Sequence, residues 1–316
     1  MSTPLTNRHD ILLLLEVSNG NPNGDPDSGN MPRVDPASNL GLISDVCLKR
    51  KVRNFVQLFP PEANGQSFNI LIRQGAVIET EQKKGIEATK DAAKGTKGEH
   101  AKRARDWLCR EFYDVRTFGA VISTGEDVMK GSAFGQVRGP VQFTFGRSFH
   151  PINPLEVTIT RCAVTKESDA AKERTMGQKY IVPYALYSAR CYVSPAFATQ
   201  TGFDQADFGV LIEALTHLFD HDRSAARGDM VVRGLFDFEH VGTQGGANAE
   251  QNLREARLGC AHAHKLFEAV RVNLANEGSQ PSRFEDYRVA VDDFDADGTS
   301  RKFPGVKLHR RIDPAR

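Results

Sequence analysis

One polar stretch constrains this 316-residue chain more than any other feature. From Ser18 to Gly41, 19 of 24 residues are Gly, Pro, Asn, Asp or Ser. The preceding run Ile11–Val17 is apolar and predicts a strand, and the segment 45–59 that follows predicts a helix. Long loops without secondary structure are uncommon in compact domains and are usually functional or disordered. Because this loop lies between a strand and a helix, its position favours a function.

The predicted helix carries an apolar stripe and a basic run. At 3.6 residues per turn the apolar stripe consists of Leu48, Val52, Phe55, Val56 and Phe59. The basic run consists of Lys49, Arg50, Lys51 and Arg53. Ser44 or Asp45 is placed to cap the first turn, where unpaired N–H groups bind anions well. The pattern predicts a phosphate-binding cradle, although a solvated basic face beside a surface loop explains the same residues equally well.

The overall charge restricts how a nucleic acid could be bound. The chain has 41 basic and 40 acidic residues, so its formal net charge is +1 and any nucleic-acid site must be a local patch. Its five cysteines are scattered without C-x-x-C spacing, which is typical of a reduced, cytoplasmic protein. The longest aliphatic run, Ile11–Leu15, is far shorter than the roughly 18 residues of a membrane span. We therefore expect no membrane partner.

The strongest periodic segments predict an α+β fold. They are read as strands at 11–17, 68–78, 184–193 and 231–241, with helices at 45–59 and 205–221. This is the β-α-β-β-α-β order of ferredoxin-like and RNA-recognition-motif (RRM) domains, with a long insertion between its second and third strands. The chain after residue 276 is polar and is predicted to be irregular.

Common cofactor and metal motifs are incomplete in this sequence. The segment that begins at Gly24 has P-loop glycine spacing, but Asn30 replaces the lysine. A calcium-like run that begins at Asp293 has Pro304 where the bidentate Glu belongs. We therefore expect no cofactor and no metal. The loop acids Asp25, Asp27, Asp35 and Asp45 could hold Mg²⁺ for phosphodiester chemistry, although ordinary turn chemistry explains them better.

Three further clusters place basic residues beside glycines. They contain Gln136 and Arg138, then Arg174, Met176 and Lys179, and finally Arg223 and Arg227. Basic groups beside flexible backbone are typical of contacts to nucleic-acid phosphates. Each cluster alone is also a normal surface turn, but their recurrence favours a bound single strand.

Several longer motifs resemble one known family. N-G-N-P-N-G-D-P-D-S-G-N-M-P-R-V-D-P, D-V-R-T-F-G-A-V, G-Q-V-R-G-P-V-Q, T-M-G-Q-K-Y-I-V-P-Y-A-L-Y and H-D-R-S-A-A-R-G-D-M resemble the backbone subunit of type I-C CRISPR surveillance complexes (Cascade), in the Cas-seven superfamily. The resemblance extends from about residue 10 to 240 and is much weaker after Gly242.

The resemblance implies an RRM-like palm with inserted finger and thumb elements. The palm would comprise residues 8–78 and 184–245, the insertion 79–183 with fingers at 79–113 and a β-hairpin thumb at about 155–183, and a C-terminal extension 246–316. Met176 would be the apolar wedge of the thumb. The implied partners are CRISPR RNA, a target DNA strand paired to that guide, further copies of the chain in a head-to-tail filament, and other Cascade subunits.

The leading hypothesis is a non-catalytic subunit that binds guide RNA without reading its sequence. The expected RNA-binding residues are Asn19, Asn21, Asn23, Gly24, Arg33, Ser44, Lys49, Arg50, Lys51, Arg53, Gln136, Arg138, Arg174, Met176, Lys179, Arg223 and Arg227. The main alternative is a metal-dependent ribonuclease that uses the acidic loop. A nucleotide-binding α/β protein is the third and weakest interpretation, because no phosphate-binding motif is complete.

Overall fold

A computed structural model describes residues 3–62, 65–90, 96–122, 135–160, 162–163, 167 and 176–314. The strands are β1 His9–Gly20, β2 Gly24–Asp25, β3 Met31–Pro32, β4 Leu40–Ile43, β5 Gly119–Val121, β6 Gln136–Arg138, β7 Val141–Phe143, β8 Gly146–Pro151, β9 Leu155–Thr160, β10 Met176–Val193, β11 Asp229–His240, β12 Val270–Leu274, β13 Tyr287–Val291 and β14 Val306–Ile312. The helices are α1 Asp45–Leu58, α2 Ile78–Ala88, α3 Lys97–Glu111, α4 Tyr113–Phe118, α5 Pro195–Thr201, α6 Gln205–Thr216, α7 Ala249–Leu258 and α8 Ala263–Glu268.

The fold is mixed α and β and is built around one large antiparallel sheet. Its strand order is β14-β11-β1-β10-β8-β4, and β7 and β9 also pair with β10. The central strand β1 runs antiparallel to both β10 and β11. Every residue of β1 from His9 to Val17 is buried, which explains its nearly continuous apolar sequence. This strand therefore separates two hydrophobic cores.

The first core lies between one face of the sheet and helices α1 and α6. Ile11, Leu13 and Leu15 of β1 belong to it, since alternate side chains of a strand point to one face. The predicted stripe of α1 is confirmed at its buried members, which are Leu48, Val52, Phe55 and Val56. Phe59 is 58% exposed and follows the last helical residue, so its assignment to the stripe was wrong.

The second core covers the opposite face of the sheet with the C-terminal part of the chain. Leu12 and Leu14 of β1 pack in one cluster with Phe236, Phe267 and Leu308. Strand β14 pairs with β11 at the edge of the sheet, and β12 pairs with β13. The prediction of an irregular chain after residue 276 was therefore wrong, because these strands form only through pairing with distant parts of the chain.

A third, smaller core lies in the inserted region. Helices α2 and α3 bury Ile86, Ala104 and Leu108 against Leu71 and Phe112. The predicted strand 68–78 is absent, and Ile78 instead begins α2. Burial of Ile70 and Leu71 against neighbouring helices produced an apolar pattern that does not mark a strand. In the sheet, β10 is flanked by β1 on one side and by β8 on the other. Strand β8 therefore takes the place expected for the segment 68–78, and it lies further along the chain.

Candidate nucleic-acid interface

The polar loop after β1 is ordered by its own asparagines. Asn19 has a positive φ of 49°, a conformation that asparagine tolerates better than most residues. The buried Asn21 donates its backbone N–H to the carbonyl of Ala226 at 2.6 Å and its side-chain amide to the carbonyl of Asn30 at 2.7 Å. Gly24 leaves no room for a Cβ, which would lie 1.9 Å from Oδ1 of Asn30. Hydrogen bonds therefore fix the conformation of this loop, which leads into the small β2–β3 hairpin.

The same loop fixes the start of α1. Asn23 accepts a hydrogen bond from the backbone N–H of Ser44 at 2.8 Å, and Ser44 Oγ accepts one from the backbone N–H of Cys47 at 3.3 Å. Ser44 is therefore the N-cap, one of the two expected capping residues. Cys47 also donates its thiol to the carbonyl of Pro22 at 3.4 Å, and burial raises its pKa. Arg33 forms an ion pair with Asp25 at 3.3 Å on the edge of this loop.

The four basic residues of α1 do not form one exposed face. Lys51 is 4% and Arg53 is 7% exposed, so the expectation that both are open phosphate anchors was wrong. Lys51 pairs with Asp222, and Arg53 donates its Nε to Asp114 at 2.8 Å. Buried cations are retained only when a counter-charge or hydrogen bonds compensate for the lost water. These two side chains therefore hold the fold together.

The other two basic residues of α1 face different surroundings. Lys49 forms an i,i+4 ion pair with Asp45 at 3.0 Å and lies 3.5 Å from the side-chain oxygen of Gln142. Arg50 is exposed and bonds only the neutral side chain of Asn54, at 3.3 Å. Among the residues that the structure describes, Arg50 is thus the member of the run whose charge has no carboxylate partner.

Several of the remaining expected residues converge at the end of β1. We call the chain 217–228, between α6 and β11, the clasp loop. Lys179 of β10 donates to the carbonyl of Ala225 in this loop. Arg227 contacts Asp222 at 2.8 Å, and Arg223 donates to the carbonyl of Gly228 at 3.2 Å. The loop amides after β1, the start of α1 and these cations therefore share one end of the sheet.

The other expected residues lie apart from this end or outside the described residues. Gln136 and Arg138 are exposed on β6, next to a cavity of about 470 Å³ that Phe118 and Gln142 also line. Met176 is 72% exposed at the start of β10, where β10 pairs with β9 as a two-stranded ribbon. Arg174 lies outside the described residues. Within the hairpin expected at about 155–183, the described residues Leu155–Thr160 and Met176–Ile181 pair antiparallel, and the thumb itself stays a prediction.

Two carboxylates that organise this region, the buried Asp114 and the partly buried Asp222, were missed by sequence reasoning. Asp114 accepts from Arg53 and also from the backbone N–H groups of Leu71 at 2.8 Å and Ile72 at 3.1 Å. Asp222 is the shared counter-charge of Lys51 and Arg227. The signal was present in the motifs D-V-R and H-D-R, where an acid lies beside an arginine, but no local rule identifies the distant partner.

Three of the four loop acids, Asp25, Asp35 and Asp45, have a turn or ion-pair role. Asp25 accepts from the backbone N–H of Asp27 at 3.2 Å. Asp35 accepts from that of Ala37 at 3.0 Å, which lowers the pKa of Asp35. In the described part of the chain, no group of three or more His, Cys, Asp or Glu side chains is placed to share a metal ion.

Both faces of the main sheet are covered. The helices α1 and α6 cover one face, and the aromatic side chains Phe236 and Phe238 on the other face are fully buried under the C-terminal segment. Bases cannot stack on a sheet whose aromatic rings are inaccessible. The covered faces of the main sheet therefore offer no stacking platform for bases. Across the described residues, no helix is both long and apolar enough for a bilayer span.

Comparisons with known proteins identify the family. A family model described as CRISPR-associated protein Cas7 matches residues 7–292. The CRISPR-associated protein Cas7 of Haloferax volcanii is 26% identical over 217 residues, which cover 64% of this chain and 61% of that relative. This chain thus spans less than two thirds of the relative's length.

Two solved assemblies contain chains of similar shape. One is a CRISPR RNA-guided surveillance complex in a pre-nicking state, with a TM-score of 0.46 and 12% identity over 73% of this chain and 78% of that chain. The other is a type III-B Cmr-beta complex bound to cognate target RNA, with a TM-score of 0.39 and 13% identity over 72% and 60%. Because the family model covers most of the sequence, this chain belongs to the Cas7 family of CRISPR-associated proteins.

Proposed function

We propose that this chain is a non-catalytic, guide-RNA-binding backbone subunit of a type I-C CRISPR surveillance complex. Copies of the chain would line the guide RNA head to tail and leave its bases free to pair with a target DNA strand. Other Cascade subunits would cap the assembly. The observation that carries the proposal is the convergence of Lys179, Arg223 and Arg227 with the amide-rich loop at one end of β1, in a chain of the Cas7 family.

The strand order supports an RRM-like palm with the boundaries 8–78 and 184–245. Strands β11, β1, β10 and β8 lie side by side, all antiparallel, with α1 and α6 on one face. This order agrees with the arrangement proposed for a β-α-β-β-α-β unit. The insertion 79–183 would supply the fingers, and the β9–β10 ribbon, with Met176 exposed, would supply the thumb. The extension 246–316 completes the second core and adds β14 to the edge of the sheet, and in this proposal it is an addition to the palm.

RNA binding would be independent of base sequence. Basic side chains and loop amides contact phosphates, which carry no sequence information. Arg50, Arg138 and Arg223 are exposed cations for this purpose, and Arg227 is partly exposed. The affinity should then fall with salt at a log–log slope of about −0.7 for each phosphate neutralised on a single strand.

A charge-reversal experiment tests the proposal. We expect the double variant Lys179→Glu with Arg223→Glu to weaken binding of mixed-sequence single-stranded RNA by about a hundredfold or more, since each charged contact contributes about 1.5–3 kcal/mol. The matched control is Arg254→Glu in the exposed part of α7, a helix that contacts Arg8 at the opposite end of β1. Fluorescence anisotropy at several salt concentrations measures both affinity and slope. Equal weakening by the control variant would contradict the proposed location.

Incubation with labelled RNA tests the lack of catalysis. We expect no cleavage with Mg²⁺ or with a chelator. Metal-dependent cleavage that is lost in Asp25→Asn or Asp35→Asn variants would establish the ribonuclease alternative instead. Nuclease sensitivity of the purified oligomer would separately test the expected filament along RNA.

A further inference from the structure

The clasp loop is attached to three neighbouring elements. The carbonyl of Ala226 accepts the backbone N–H of Asn21 at 2.6 Å, and the carbonyl of Ala225 accepts from Lys179. The third attachment is the ion pair between Asp222 and Lys51 of α1. Among these three contacts, the ion pair is the one that joins two charged side chains, so neutralising Asp222 breaks it and leaves Lys51 unpaired.

Asp222 and Lys51 are shielded from solvent, whereas Arg227 is partly open. The side chains of Lys51, Asp222 and Arg227 are 5%, 14% and 39% exposed, respectively. Lys51 also lies over the ring of Phe219 at 5.2 Å, and His221 lies with its Nε2 3.1 Å from the carbonyl of Lys51. Lys51 is therefore enclosed and cannot reach a phosphate without leaving its site. Its charge serves to hold Asp222.

We propose that Asp222 is a positioning residue, which uses the buried Lys51 as an anchor to fix the clasp loop and to orient Arg227 toward RNA phosphate. The inference rests on the proposed function and refines it, because it assigns a positive effect on RNA binding to a carboxylate. Simple electrostatics predicts the opposite, since an anion near a phosphate-binding surface repels the ligand.

Neutralising Asp222 leaves Lys51 buried without a counter-charge. A buried cation without compensation is strongly unfavourable, so Lys51 and the clasp loop must rearrange to regain solvent. Arg227 then loses the carboxylate that orients it, and Asn21 and Lys179 lose the fixed position of their carbonyl partners. RNA would meet mobile cations in place of a preorganised set, and ordering them at binding costs side-chain entropy.

The decisive experiment compares two substitutions that change charge equally. Asp222→Asn is paired with Asp229→Asn, an exposed carboxylate at the start of β11 for which the described residues offer no ion pair. Binding of a labelled, mixed-sequence single-stranded RNA to the RNA-free full chain is measured over a range of salt. We expect Asp222→Asn to weaken binding by about tenfold and to reduce the steepness of the salt dependence by about 0.7 for each lost phosphate contact. Asp229→Asn should bind as tightly as the wild type, or more tightly.

Two further measurements separate positioning from misfolding. Asp222→Glu retains the carboxylate and should recover most of the affinity, and a variant that merely lowers the active fraction would not change the salt slope. Site-resolved alkylation of Cys47 reports opening of the clasp loop without RNA, provided that rates are compared at full ionisation of the thiol, because the charge of Asp222 itself raises the pKa of Cys47. We expect faster Cys47 labelling in Asp222→Asn than in Asp229→Asn.

The outcomes distinguish this inference from the proposed function. Wild-type binding together with equal or tighter binding by Asp222→Asn would overturn the positioning role and leave the proposed function intact. A wild-type chain that binds no RNA in a salt-dependent manner would overturn the proposed function and, with it, this inference. Unchanged Cys47 labelling in Asp222→Asn would also overturn the positioning role.

Discussion

The buried Arg116 should be among the most sensitive positions for stability. Its side chain is fully buried and donates from Nε to both carboxylate oxygens of Asp207 at 3.0 Å. Its Nη1 donates to the carbonyl of Ser67 at 2.7 Å, and its guanidinium lies over the ring of Phe68 at 4.9 Å. Asp207 also closes the capping box of α6 with Asp204. One side chain therefore joins the insertion to the helical face of the sheet.

The size of the effect follows from these contacts. Removing one partner of a buried ion pair costs about 3–5 kcal/mol, and a buried carbonyl left without a donor costs about 1–3 kcal/mol more. We therefore expect Arg116→Met to lower the free energy of unfolding by about 4–8 kcal/mol. With about 2–4 °C of melting temperature per kcal/mol for domains somewhat smaller than this chain, the thermal midpoint should fall by about 10 °C or more.

Thermal unfolding followed by circular dichroism measures this loss. The matched control is Arg110→Met, an exposed arginine on α3, and it should change the midpoint by no more than about 2 °C. The double variant Arg116→Met with Asp207→Asn should be more stable than the sum of the two single losses predicts, because it leaves no unpaired charge. A midpoint for Arg116→Met within 2 °C or so of the wild type would refute the reasoning.

Three further predictions use contrasts within the chain. Arg53→Met should destabilise the fold by about 3 kcal/mol, because it leaves the buried Asp114 without its counter-charge. Arg50→Met, at an exposed position, should affect only RNA affinity. Chemical denaturation and RNA titration of both variants separate the two effects. Gly139→Ala should destabilise the folded chain, because the added Cβ would lie 2.2 Å from the backbone of Phe118. Gly209→Ala in α6 meets no neighbouring atom within 4 Å and should stabilise the folded chain by about 0.5–1 kcal/mol. Melting curves of the two variants check both expectations. Hydrogen bonds, of which the one from His309 has the largest effect, lower the pKa of Glu239 from 4.5 to about 2. The ionised Glu239 therefore stabilises the folded chain fully above pH 4.5, and this stabilisation is lost as the pH falls toward 2. Chemical denaturation over a range of pH should show the largest difference between Glu239→Gln and the wild type above pH 4.5.

Secondary-structure elements could be predicted where the pattern of apolar residues in the sequence matches the buried face of the element. Ile11–Val17 lies within β1, the amphipathic stripe placed α1, and 231–241 corresponds closely to β11. Segment 68–78 was mistaken for a strand because Phe68, Ile70 and Ile72 alternate in sequence, whereas the residues buried in the fold are the adjacent Ile70 and Leu71. The backbone N–H groups of Leu71 and Ile72 donate to the carboxylate of Asp114, whereas in a strand they would donate to a neighbouring strand. Single-sequence periodicity cannot distinguish these two ways of satisfying a buried backbone.

The basic run of α1 marks the limit of local reasoning about the site. Its four cations look alike along the helix, yet two are buried against acids 61 and 171 residues away in sequence and two are not. Whether a cation is free to contact a phosphate depends on which carboxylate the tertiary fold brings to it, and only the folded chain determines that pairing.

The division of roles also explains how a chain of nearly zero net charge could hold RNA. Asp114 and Asp222 compensate Arg53 and Lys51 inside the fold, so these cations contribute rigidity in place of long-range attraction. Attraction for phosphate would then depend on exposed cations such as Arg50 and Arg223, the second of which lies in the clasp loop that bonds the ordered loop after β1 at Asn21. A preorganised set of few charges binds with a smaller entropic cost than a larger mobile set. Removing an internal acid should therefore harm RNA binding more than removing an exposed one, although both changes make the protein more positive.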